Sequence, residues 1–188
     1  CNEVGIFFRI VMPLSRGSVM AASVKAVKRG VSGAPGELRG DFDLTRDLGL
    51  LYANTECGIF GVLPQENRPE AVGEAIPVAR RTEVRTGKAV ILANCRGDEV
   101  CAYEIEIEKL YGGSAPTRNL LLRVTDPALI ALTGGIVQGM SGSPIVQDGK
   151  LVGAVTHVLL DDPQRGYGIL AENMLSASGM TAQSAASA

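Results

Sequence analysis

Between positions 102 and 108 the chain reads Ala-Tyr-Glu-Ile-Glu-Ile-Glu, with apolar and acidic residues taking turns. Strand side chains alternate between two faces, so this run predicts a strand with one face buried and an acidic face in water. Shorter apolar segments of the same character fall at residues 4–11, 19–27, 48–53, 58–63, 89–93, 119–124, 144–146, 151–158 and 167–169. The residues between them are turn formers. Gly30 to Gly40 carries four glycines and Pro35 and reads as a long turn. Asn54-Thr55-Glu56 reads as a hairpin connection. In Gln147-Asp148-Gly149-Lys150, the central Asp-Gly suits the positive φ values of a two-residue hairpin turn. Helix is expected only at 126–132 and 171–177, the first capped by Asp126 or Thr125 with Pro127 in its first turn. Many short strands with Gly/Pro turns predict an all-β barrel or a pair of barrels.

With 188 residues the chain can bury one sizeable core or two small fused barrels. Residues 65–73 are polar and marked by Pro64 and Pro69, which makes them the expected linker. The division is then 1–75 for one barrel, 76–177 for the other, and a frayed Ala/Ser tail over 178–188. A net charge of −2 and a pI near 5.5 weigh against a nucleic-acid or anionic-membrane surface. Lys25, Lys28 and Arg29 read as a solvated strand end. Apolar runs are broken well short of the roughly 18 residues that span a bilayer. The chain opens on Cys-Asn-Glu without an initiator Met, which reads as a processed or truncated start.

Four cysteines (Cys1, Cys57, Cys95, Cys101) and one histidine match no zinc pattern, so no metal is expected. Cys95 and Cys101 flank the turn-like Arg96-Gly97-Asp98, and two readings stand: a hairpin disulfide, or free buried thiols. Asp161 and Asp162 before Pro163 make a turn with too few ligands for calcium. Glu37 fixes its loop through backbone N–H bonds or is simply solvated.

Chemistry concentrates in Gly139-Met140-Ser141-Gly142-Ser143-Pro144. A serine between two glycines at the tip of a tight loop is how trypsin-like proteases present a nucleophile. The glycines let the backbone turn, and the loop amides can hold an oxyanion. Such a serine needs a base, usually an imidazole steered by a carboxylate. Only His157 is present, sixteen residues after Ser141 on the strand that leaves the hairpin. That position suits a pocket wall better than a base.

The block from Val124-Thr125-Asp126 through Thr133-Gly134-Gly135 to Ser141-Gly142-Ser143-Pro144, with Gly153-Ala154-Val155-Thr156-His157-Val158 and Gly166-Tyr167-Gly168, closely resembles the SpoIVB-type sporulation serine peptidases. Lys28-Arg29-Gly30, Gly33-Ala34-Pro35-Gly36-Glu37-Leu38-Arg39-Gly40 and Asn54-Thr55-Glu56-Cys57-Gly58-Ile59-Phe60-Gly61 resemble the same family's spacer motifs. The resemblance implies a trypsin-like double β-barrel, its N-terminal barrel incomplete here, and a serine endopeptidase that needs no cofactor. It implies Ser141 as nucleophile, Asp126 as the acid that orients the imidazole, and the amides of Gly139 and Ser141 as the oxyanion hole. Thr156, His157 and Gly166 are the expected walls of the substrate pocket. The expected partner is a protein or peptide substrate in endospore-formation signalling. The resemblance also implies export to the space between the two spore membranes, with any membrane contact through upstream segments only.

One departure matters. In this family the triad histidine precedes the first matched block, so the chain reads as a fragment whose base is supplied from upstream. The alternatives are a pseudoprotease that binds peptides without cutting them, and a hydrolase built on the N-terminal Cys1. The last would require an α/β sandwich, for which helices are lacking.

Overall fold

The structure, a computed structural model, describes residues 17–68, 74–112 and 116–179. Nine strands and two short α-helices make it an all-β protein among the described residues. Strands β1 (Gly17–Lys28), β2 (Glu37–Thr55) and β3 (Gly58–Val62) form an antiparallel sheet in the order β1-β2-β3. The remaining six strands are β4 (Gly87–Arg96), β5 (Glu99–Leu110), β6 (Leu120–Val124), β7 (Pro144–Gln147), β8 (Lys150–Val158) and β9 (Arg165–Leu170). They close into a barrel in the order β4-β5-β6-β9-β8-β7, with β7 returning to pair with β4. Three hairpin-linked strands and a fourth that comes back beside the first make a Greek key, and closure removes the unpaired edges. Among the described residues, a closed barrel beside an open three-stranded sheet is the double-barrel arrangement, its first half represented by that sheet.

The barrel carries the core. Ile105 and Ile107 of β5 are buried while Glu104 and Glu106 face water, as the alternation predicts. Ile91, Leu120, Leu122, Val124, Ile145 and Val152 meet them from the other strands, each at most 2% exposed. The sheet β1-β2-β3 has no such interior: Phe42, Leu44, Leu50, Tyr52, Ile59 and Val62 all stay exposed.

Most elements fall where the sequence puts them. The segment at 4–11 and the tail from Met180 lie outside the described residues, as do 69–73 of the expected linker. The long turn at 30–40 is shorter than expected, because β2 already begins at Glu37. Its first residues find a partner that local sequence does not announce: the Leu38 N–H donates to Gln138 O at 2.8 Å, and Gly40 pairs with Val24 of β1. Asp148 (φ 51°) and Gly149 (φ 73°) both take left-handed backbone, which makes the β7–β8 connection the expected two-residue turn. The thiols of Cys95 and Cys101 are free.

On the barrel wall, Glu108 accepts from Arg123 Nε at 2.5 Å and from Arg165 at 2.9 Å. Partial burial works to raise its pKa, but the two guanidinium groups prevail and hold it below the usual carboxylate range. A depressed folded pKa stabilises the protein above the unfolded value, about 4.3. That contribution is lost as pH falls through the folded value. Glu108→Gln should therefore flatten the acid side of the stability–pH curve, read as melting temperature against pH below about 4.3.

Candidate active site

The segment that ends in Ser141 is built by clamping an otherwise irregular chain from both sides. Helix α1 (Pro127–Thr133) stops at Gly134, whose left-handed φ of 81° lets its N–H reach Ile130 O. Beyond it, Ile136 donates to Pro163 O at 2.7 Å on one flank. On the other flank Gln138 donates to Gly36 O at 3.0 Å and accepts from Leu38. The Gly30–Gly36 turn is itself docked on the barrel, through Gly30 N to Thr133 O and Gly33 N to Leu160 O, each 2.8 Å. The glycine- and proline-rich spacer is thus a brace under the serine loop.

From there the backbone doubles back. Met140 donates to Val137 O and Ser143 to Met140 O, and the Met140 side chain plugs into the core at 1% exposure. Gly142 donates to Val155 O at 2.8 Å, tying the far side of the loop to β8. Gly139 (φ 98°) and Gly142 (φ 93°) take the backbone that a residue with a side chain rarely adopts, and Ser141 stands between them at the tip. Its hydroxyl is exposed and donates to Thr156 O at 3.1 Å.

The amides sort themselves. Those of Met140, Gly142 and Ser143 are each bonded within the loop or to β8, whereas those of Gly139 and Ser141 meet no acceptor among the described residues. Two unengaged N–H groups flanking a serine hydroxyl are what an oxyanion hole requires, since donors committed elsewhere could not turn to a developing negative charge. Ser141 also opens on space. A cavity of about 430 Å³ is lined by Ser141, Gly142, Ala154, Val155 and Thr156. Residues 54–59, the turn that joins β2 to β3 with its flanking strand ends, line the same cavity, as do Ile169 and Met174.

Of the other expected site residues, Thr156 alone lines this cavity. Asp126 caps α1: one carboxylate oxygen accepts from Ala128 and Leu129 N–H at 2.9 Å, and the other from Glu104 N–H at 3.3 Å. Its neighbour Thr125 borders a second cavity together with Gln147, Asp148 and Gly149. That cavity is at the C-terminal end of β7, while Ser141 precedes the N-terminal end. Asp126 is not among the residues that line the Ser141 cavity. Asp126→Ala should cost about 1–2 kcal/mol through loss of the cap, seen as a lower urea midpoint at unchanged m-value.

Thr156 lines the serine cavity, but His157 and Gly166 do not. His157 is half-buried on β8 opposite Tyr167 of β9. Gly166 is buried, and a Cβ there would meet Ile136 Cδ1 at 2.6 Å, so Ile136 occupies the space in front of it. Sequence reasoning gave the 54–59 turn no place in the site. Its only signal was the run Asn54 to Gly61, noted as a spacer.

A family model described as SpoIVB peptidase S55 matches residues 8–175. The chain belongs to that family. It is a serine peptidase of SpoIVB type, as the glycine-flanked serine and its two unengaged amides suggest, and proteins are the substrates of such a family. No curated protein sequence matches the chain. Among solved structures it is similar to the Rv3671c protease in its inactive form, at 16% identity and a TM-score of 0.48, covering 84% of this chain and 88% of that one. It is likewise similar to the active form of the Rv3671c protease from M. tuberculosis, at 17% identity and 0.48, covering 87% and 82%. Among the described residues of this S55 peptidase, no helix is long and apolar enough to cross a membrane. No group of His, Cys, Asp and Glu among them is placed to hold a metal ion.

Proposed function

We propose that this chain is the peptidase domain of an exported endopeptidase that cuts a protein substrate during endospore formation, with Ser141 as nucleophile. The observation that carries the proposal is the pairing of an exposed Ser141 hydroxyl with the unengaged amides of Gly139 and Ser141 at an open cavity. In the reaction, an imidazole from sequence preceding residue 1 takes the Ser141 proton as Oγ attacks the scissile carbonyl. The oxyanion that forms is held by the amides of Gly139 and Ser141. The same imidazole then protonates the leaving amine, and water repeats the sequence on the acyl-enzyme. For the attack the hydroxyl must first leave Thr156 O, its acceptor in the resting loop.

A second reading rests on one observation: the single imidazole of this sequence, His157, does not line the serine cavity. A protein whose longer form also lacks a base would hold peptides without cutting them. Expressing the full-length gene product from a spore-forming host and presenting it with a mixed peptide library separates the two. The peptidase reading expects cleavage that a fluorophosphonate abolishes. Binding of peptides with no cleavage, by a protein whose upstream sequence is intact, favours the non-cutting module.

A further inference from the structure

We propose that Leu38 of β2 aims the Gly139 amide of the oxyanion hole, and does so through its own backbone N–H. This rests on the serine-peptidase reading above and names a positioning residue for it. The Gly139 N–H belongs to the peptide unit that joins Gln138 to Gly139. That unit is trans, so its N–H and its C=O point in opposite directions. Leu38 N–H donates to Gln138 O at 2.8 Å. Holding the carbonyl toward β2 turns the amide hydrogen away from β2, where no backbone carbonyl among the described residues accepts it.

Glycine at 139 is what makes this bond matter. Leu38 lies so close that a Cβ on Gly139 would meet Leu38 Cβ at 3.0 Å and Cγ at 3.4 Å, and the backbone there takes φ 98°. Both conditions call for a residue without a side chain. Yet glycine populates either sign of φ at little cost, so residue 139 by itself does not fix the plane of the peptide before it. Half a turn of that plane would put the Gln138 carbonyl oxygen where the oxyanion needs a donor. The bond on the other side of Gln138 does not oppose the turn: its N–H, given to Gly36 O at 3.0 Å, belongs to the preceding peptide unit. Beyond Gly139 the next restraint is Met140 N–H to Val137 O at 3.1 Å, on the following unit. Among backbone groups of the described residues, Leu38 alone bonds the 138–139 unit. Leu38 stands opposite Val27 in the β1–β2 register, so one of the two oxyanion donors is set from the open sheet rather than from the barrel.

The test uses the full-length protein with its upstream sequence and compares wild type, Leu38→Pro, Leu38→Ala and a chain carrying the α-hydroxy analogue of leucine at position 38, made by nonsense suppression. Proline and the ester both remove the N–H, and the ester covers the case in which Leu38→Pro does not fold. Leu38→Ala keeps the donor. Readouts are kcat, KM, melting temperature and the inhibition constant of a peptide aldehyde, whose tetrahedral adduct places an oxygen in the same hole. Loss of the donor is expected to lower kcat about five- to tenfold, the shift in orientation that one hydrogen bond holds. Its ceiling is the roughly 10²–10³-fold that removal of a whole oxyanion donor costs. The aldehyde's inhibition constant should rise by the same factor as kcat falls, with KM little changed. Leu38→Ala should recover most of the rate and of the aldehyde affinity. The proposal is overturned if the ester chain keeps wild-type kcat and aldehyde affinity, if KM rather than kcat carries the loss, or if Leu38→Ala loses as much as the ester. A wild-type protein that neither cuts peptides nor takes a fluorophosphonate on Ser141 overturns the serine-peptidase reading itself, and this one with it.

Discussion

Ser141→Ala in the full-length peptidase should lower kcat on the order of 10⁶-fold, because the nucleophile and its base act as one unit. KM should barely move, since the hydroxyl bonds only to Thr156 O in the resting loop and holds no part of the cavity open. Fold should be indifferent as well. The side chain is exposed at the loop tip, and the loop is fixed by Met140 below it and by Gly142 N to Val155 O beside it. An alanine variant that melts like the wild type but has lost turnover assigns the loss to chemistry. Retained turnover would place the nucleophile elsewhere.

The second large effect lies away from the reacting atoms, in the brace. Gly36→Ala should destabilise the protein by about 3 kcal/mol, the upper part of the range for overpacking. Its Cβ would meet Lys28 O at 2.4 Å, Gly30 N at 2.5 Å and Val137 Cγ1 at 2.6 Å, and two of those three atoms are backbone that cannot swing aside. The same carbonyl that Gly36 offers to Gln138 N–H sets the position of Gly139, so kcat/KM should fall along with the melting temperature. Gly33→Ala is the contrast. It has open space around its Cβ, and its positive φ of 78° alone should cost about 1–2 kcal/mol, with no effect on turnover at permissive temperature. Equal effects of the two substitutions on kcat/KM would show that the spacer does not brace the serine loop.

These two cases mark what the sequence discloses and what it hides. Where a structural rule acts within a few residues, the reading was direct. Ile105 and Ile107 alternate with glutamates and are buried; Asp148-Gly149 takes the two positive φ values; Asp126 stands before Pro127 and caps α1. The glycines around Ser141 give the loop the backbone its composition suggests. The hidden features depend on partners far along the chain. β2 over residues 37–47 is exposed for most of its length, so it carries no burial pattern, and β1 is what makes it a strand. Ile136 closes the space before Gly166 from 30 residues upstream (166 − 136), which no local pattern records. Glu56 reaches the serine cavity across 85 residues (141 − 56), brought there by a hairpin turn whose composition looks like any other. Asp126 shows how one residue type carries two readings: its carboxylate takes two N–H groups at the α1 N-terminus and one from Glu104 of β5, the role of a cap, while its spacing before Ser141 is also that of a site residue.

The most direct test of the account is to treat the full-length protein with a fluorophosphonate, digest it, and locate the adduct by mass spectrometry. A single adduct on Ser141, formed at a rate that tracks loss of peptide cleavage, is the predicted result. An adduct on Ser143 or elsewhere, or none in a protein that still cuts peptides, would contradict it.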